Sequence, residues 1–330
     1  MKIANVSWGW TPIPEDTPHG DSLIKIADQI RELGFEAVDY LGTPEALDVF
    51  FNEKSSTELG EHSRKIGLEP NVFVFQDAVW NNPDEAVRAD SLKHFEKAAQ
   101  TAKWIGCKIV SALVPMPFGA TPWTFNPMAP SLKQSYRLPA DYCFQKDWDL
   151  LIDSYKKALA IAKKYGLRMS IECFPHSMIS TPHAMLKVLE DVGDDDFGIQ
   201  LDTNHLIDQH IDPEWTIYVL GGKRIFNVHC KDNDSISRGN IPAGCGICDY
   251  TAVIQALKNV GYQGNLAVEL EFTDNPRRYN KQSEALRGGR ILSYRPPIFP
   301  GLELQFQPGF FYASVWKLSW DGEKYLPGFS

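Results

Sequence analysis

The sequence predicts a (β/α)8 barrel followed by an aromatic-rich C-terminal extension. Short apolar runs alternate with longer amphipathic stretches, and eight strand-then-helix units fit between residues 1 and 288. Such a series implies a parallel sheet with helices outside it. Closure into a barrel is the economical arrangement for eight units. An open doubly wound sheet is the alternative, but neither a G-x-G-x-x-G nor a P-loop follows the first strand.

The elements follow in order. Residues 3–7 read as the first strand and 21–33 as a helix stopped by Gly34. Residues 36–40 and 70–75 are the next strands, with a helix at 56–66 between them. A long helix at 86–105 ends at Gly106 and leads into a strand at 108–113; a helix at 147–165 ends at Gly166. Strands at 168–172, 197–201, 224–229 and 265–270 are separated by helices at 181–191, 213–220 and 249–260, and a last helix is expected at 280–288. Residues 8–20 and 115–146 break the rhythm as long proline-rich loops after strands one and four. Long loops of this kind are commonly functional, and in a barrel both would lie at the C-terminal face, where βα loops build sites. Residues 289–330 hold ten aromatics, alternate at Leu302 to Phe306, and carry a turn signal at Asp321-Gly322. They read as extended structure added to a finished barrel domain (1–288). So many aromatics in a short appendage point to an interface, in a homo-oligomer or with a smaller partner subunit.

Composition narrows the function classes. The chain has 330 residues and a net charge of −9, which argues against a nucleic-acid partner. No apolar run reaches membrane-spanning length and the start lacks a leader pattern, so no membrane is expected. Six scattered cysteines suggest a reducing, cytoplasmic setting rather than a disulfide framework. Cys245 and Cys248 form a lone C-x-x-C, which lacks the second pair that structural zinc usually needs.

Four residues carry the chemistry. Glu172, Asp202, His229 and Glu269 each close a mainly apolar run: Met169-Ser-Ile-Glu, Gly198-Ile-Gln-Leu-Asp, Phe226-Asn-Val-His and Leu266-Ala-Val-Glu. A carboxylate at a strand end often only caps the next helix. Four such groups at equivalent positions of successive strands converge on one barrel mouth instead. Three carboxylates and an imidazole suit one divalent cation, Mn2+ first, with Mg2+, Co2+ or Zn2+ as options.

The motifs Ser170-Ile-Glu172, Leu201-Asp-Thr-Asn-His205, Asn227-Val-His-Cys-Lys-Asp232 and Gly261-Tyr-Gln-Gly-Asn-Leu-Ala-Val-Glu269 resemble the xylose-isomerase-like barrel superfamily. So does the glycine turn Pro242-Ala-Gly-Cys-Gly-Ile-Cys-Asp249. The resemblance covers about residues 1–288. It implies that Glu172, Asp202, His229 and Glu269 are the metal ligands. Glu172 and Glu269 would also serve as the acid/base pair, and His205 would bind substrate. Glu271 lies on the same strand face as Glu269, but the glycine-containing pattern favours Glu269. Lys231, Trp8 and Trp10 are further candidates for substrate contact. Ser235 stands where sugar epimerases of this superfamily carry an arginine, with Arg238 nearby.

The implied activity is metal-dependent sugar isomerisation or epimerisation, by proton abstraction next to a carbonyl through a metal-stabilised enediolate. The alternative is a lyase on an oxidised sugar, such as the catalytic subunit of a C-glycoside deglycosidase cleaving a 3-oxo-glycoside by β-elimination. Endonuclease IV chemistry is disfavoured, since Pro242 and Gly244 stand where further metal ligands belong. A non-enzymatic binding protein is disfavoured by the intact ligand set.

Overall fold

A computed structural model describes residues 1–10, 21–124, 135–233 and 241–270. The extension 289–330, the helix expected at 280–288, and Ser235, Arg238 and Glu271 lie outside the described residues. Eight parallel strands close into a barrel. In chain order they are β1 (Ile3–Val6), β2 (Ala37–Gly42), β3 (Glu69–Phe75) and β4 (Ile109–Leu113), then, after a small pair β5 (Thr121–Thr124) and β6 (Ser135–Arg137), β7 (Arg168–Glu172), β8 (Phe197–Asp202), β9 (Ile225–Cys230) and β10 (Leu266–Val268). The closing contact is β1 with β10, where Ile3 faces Leu266 and Asn5 faces Val268. This excludes the open doubly wound sheet.

The helices are α1 (Asp21–Glu32), α2 (Pro44–Val49), α3 (Glu53–Lys65), α4 (Glu85–Ile105), α5 (Phe144–Lys164), α6 (Pro182–Val192), α7 (Thr203–Ile207), α8 (Pro213–Leu220) and α9 (Tyr250–Asn259). Local chemistry sets their ends. Asn52 and Ser55 form a reciprocal capping box at α3. Thr181 and Asp212 cap α6 and α8, each followed by a proline at the first helical position. Gly106 and Gly193 end α4 and α6 in the left-handed conformation that a side chain disfavours.

Two short helices, α2 and α7, and the antiparallel pair β5–β6 were not legible as elements in the sequence. α2 and α7 are too short to show a hydrophobic period. Both strands of the β5–β6 pair lie within the proline-rich segment 115–146, which read as a loop.

The main core lies between the barrel and its helices. Trp80, Phe75, Phe95 and Tyr155 form edge-to-face and tilted aromatic contacts there. Alternate strand residues face inward. Ala4, Val6, Ala37 and Ala267 form one small inner cluster, and Val72, Val74, Ile109 and Phe226 another. Above these apolar layers the inward positions become polar, and the site begins.

Candidate metal centre

β7 and β8 end at Glu172 and Asp202, β9 carries His229 next to its end, and Glu269 follows β10 directly. The barrel therefore sets these four side chains side by side. One ligand atom from each lies within 4.8 Å of all the others, and all four residues are buried. His229 Nδ1 faces Glu269 Oε2 at 2.8 Å and Glu172 Oε1 at 3.2 Å. Asp202 divides its carboxylate between two tasks. Oδ1 accepts the backbone N–H of His205 and so caps α7. Oδ2 is buried and accepts no hydrogen bond, although Lys231 Nζ stands 3.1 Å away as an ion pair. Capping and convergence on the cluster are thus both realised in one side chain.

Lys231 is 3% exposed, and its Nζ also lies 3.0 Å from Glu269 Oε2. It is a buried member of the cluster rather than a solvated charge. Trp8 donates its indole N–H to Glu269 Oε1 at 3.0 Å and lies 5.8 Å from the His229 ring. Trp10 instead donates to Asn5 Oδ1 at 2.7 Å and packs on the main core. His205 Nε2 lies 3.6 Å from Asp202 Oδ2, and its buried Nδ1 has no hydrogen-bond partner. Phe174 stands edge-on to the His205 ring.

The electrostatics follow from burial and crowding. Burial disfavours a charged His229, but the Glu269 and Glu172 carboxylates and the hydrogen bond to Asp39 outweigh it and hold the imidazole well above its ordinary range. Burial drives the Asp202 carboxyl well above the usual carboxylate range, with Lys231 opposing and Glu269 and Glu172 adding to the rise. Burial also pushes Glu269 up, but Lys231 and His229 more than reverse it and hold that carboxyl low. Burial, with Lys231 second, drives His205 well below its ordinary value, so its ring is neutral. A divalent cation is what this donor set fits: three oxygen donors and one imidazole nitrogen buried together, with one carboxylate oxygen accepting no hydrogen bond.

The sequence reading missed the layer beneath the ligands. Asp39 on β2 lies 3.2 Å from His229 Nε2 through Oδ2. Gln200 donates to Glu172 Oε2 at 2.9 Å. The available signal was a polar residue interrupting an apolar strand, as at Asp39, Gln200 and Asn227.

Asp232 spends its carboxylate away from the four candidate ligands. Its carboxylate accepts the backbone N–H groups of Asn233, Gly244, Gly246 and Cys248, and so anchors the Pro242–Asp249 turn beside the site. Gly246 is required there, because a Cβ would lie 2.2 Å from Asn233 O. Asp232→Ala should therefore destabilise the fold by about 3 kcal/mol or more, since buried donors lose their acceptor. Urea denaturation checks this, and a loss below about 1 kcal/mol would show the turn to be held by other contacts.

A cavity of about 990 Å3 opens at the opposite end, lined by residues such as Lys2, Lys108, Arg168 and Asn265 at the strand starts. None of the four candidate ligands lines it. In this architecture that end serves stability. No helix among the described residues is long and apolar enough to cross a membrane.

Comparison with known proteins agrees with the barrel fold. The family model described as "Xylose isomerase-like TIM barrel" matches residues 27–288. An inosose isomerase of Bacillus velezensis is 23% identical over 72% of this chain and 79% of its own length. An L-ribulose 3-epimerase of Mesorhizobium japonicum is 25% identical over 72% of each chain. Among solved structures, an L-ribulose 3-epimerase superposes with a TM-score of 0.68 at 17% identity, covering 88% of this chain and 95% of that one. A 3-keto-D-glucoside 4-epimerase from E. coli gives 0.67 at 18%, covering 87% and 99%. The IOLI protein, solved with a zinc atom, gives 0.65 at 18%, covering 88% and 97%. By the match over most of its length, this chain belongs to the xylose isomerase-like TIM barrel family.

Proposed function

We propose that this protein is a divalent-metal-dependent sugar isomerase or epimerase. The observation that carries the reading is the buried quartet Glu172, Asp202, His229 and Glu269, with ligand atoms within 4.8 Å of one another. The named activities of relatives, inosose isomerase and L-ribulose 3-epimerase, support the same class. Mn2+ is our first choice of metal; zinc, seen with one protein of the same fold, is the second. A divalent cation held by these four residues supplies Lewis-acid stabilisation of negative charge developing on a substrate carbonyl oxygen.

The chain's own groups do the rest. Glu172 and Glu269 come from β7 and the end of β10, with Asp202 and His229 between them in the barrel order. In this reading they approach a bound sugar from two sides, one taking a carbon-bound proton and the other returning one. Trp8 and Lys231 fix the Glu269 carboxylate by its two oxygens, which fixes the direction in which it can take a proton. His205, neutral and with a free ring nitrogen, serves as a substrate hydrogen-bond partner, and Lys231 as a charge for a substrate oxygen.

A second reading is β-elimination from an oxidised sugar. It shares the proton-abstraction step, and a same-fold protein acts on a 3-keto-glucoside. Turnover in D2O separates the readings. Deuterium gained at the carbon next to the carbonyl, lost in Glu269→Gln with metal still bound, supports proton abstraction by Glu269. Complete retention of the original hydrogen would refute it. Release of an aglycone along with deuterium gain selects the lyase.

A further inference from the structure

We propose that Asp39 is the positioning residue that sets the tautomer of His229 and thereby aims Nδ1 at the metal; this rests on the metal-site reading above. Asp39 is fully buried in the middle of β2, facing inward. Its Oδ2 lies 3.2 Å from His229 Nε2 and accepts Asn227 Nδ2 at 2.7 Å. Its Oδ1 accepts Asn71 Nδ2 at 2.7 Å and the Val72 backbone N–H at 3.2 Å.

The backbone is irregular where these donors gather. Between β2 and β3, Val38 pairs with Pro70 but Tyr40 with Phe73, so Asn71 and Val72 both stand opposite Asp39. Between β8 and β9, Ile199 pairs with Ile225 but Gln200 with Asn227, so Phe226 is extra. Bulges re-aim side chains, and here they turn Asn71 and Asn227 towards one carboxylate. The same network continues from Asn227 Nδ2 to Gln200 Oε1 at 3.4 Å, and from Gln200 to Glu172.

A carboxylate only accepts. Asn71, Val72 and Asn227 already donate to Asp39, and the oxygen facing His229 can only accept, so the contact is satisfied by a proton on Nε2. The lone pair for coordination is then on Nδ1, the nitrogen that faces Glu172 and Glu269. A carboxylate behind a ligating imidazole also raises its basicity.

Asp39→Asn tests this with little change in shape. The asparagine carbonyl satisfies one pair of donors, and its amide then faces the other pair. With the amide towards His229, the favoured tautomer carries its proton on Nδ1, which blocks coordination. Zn2+ is the probe, read by calorimetry and by 15N NMR of the histidine rings. Wild type should show Nε2 protonated and Nδ1 coordinated. Asp39→Asn should bind Zn2+ ~10- to 100-fold more weakly and lose the Nε2 proton of the metal-free ring, keeping the one on Nδ1 that faces Glu172 and Glu269. Asn71→Ala, which leaves the carboxylate, should keep the Nε2 proton.

If Asp39→Asn does not fold, the wild-type spectrum still decides, since coordination through Nε2 overturns the proposal. Unchanged affinity and tautomer in Asp39→Asn also overturn it while leaving the metal site standing. Wild type that takes up no Zn2+ overturns the metal reading itself, and this one with it.

Discussion

Replacing His229 with asparagine is expected to abolish metal binding and turnover while the barrel still folds. His229 is the one nitrogen-bearing residue of the quartet, and its Nδ1 sits within 3.2 Å of two of the carboxylates. An asparagine side chain is shorter, and its amide is a poor ligand. The remaining oxygens would have to hold a cation without the central donor. The loss should exceed about a hundredfold, more than second-layer changes cause. Asp202→Asn is the companion variant. Asparagine caps helices as well as aspartate does, so the α7 cap survives while the ligand charge is lost. Metal analysis after dialysis, with circular dichroism as the fold check, reads both. A full metal complement in both variants would refute the ligand assignment.

Lys231→Met should destabilise the metal-free protein by about 3–5 kcal/mol, the usual cost of stranding buried charges. Its ammonium lies 3.1 Å from Asp202 and 3.0 Å from Glu269, all three residues are buried, and methionine keeps the bulk of the stem while removing the charge. Without Lys231, burial and the Glu269 charge push Asp202 further up, and Glu269 is left chiefly with His229 to offset its burial. A carboxyl raised in the folded state favours the fold when protonated, and that contribution is lost as pH rises through the folded value. The deficit should therefore be largest at neutral pH and shrink towards pH 4, where the unfolded carboxyls also begin to protonate. Saturating Mn2+ should recover part of it, because a ligand that binds only the folded state stabilises by mass action. Urea curves with and without Mn2+, at two pH values, check all three. Equal stability of the two metal-free proteins at neutral pH would show that Lys231 carries no structural charge.

By itself, the sequence determined the eight-strand repeat, the helix stops at Gly106 and Gly166, and the four ligand-type residues at strand ends. These were legible because each is local. A period, a cap or a polar group closing an apolar run depends only on neighbours a few residues away. Only the tertiary structure decided that the sheet closes, because closure is a contact between β1 and β10, more than 260 residues apart. It also decided which partner each polar group meets. Asp39 is 190 residues from His229 in the chain, and nothing near it in sequence shows that two bulges in other strands deliver its donors. Lys231 and Asp232 make the same point. They are adjacent in sequence, yet one enters the ligand cluster and the other is enclosed by the N–H groups of a glycine turn. Successive strand residues point to opposite sides, and what lies on each side is set by the packing of distant segments.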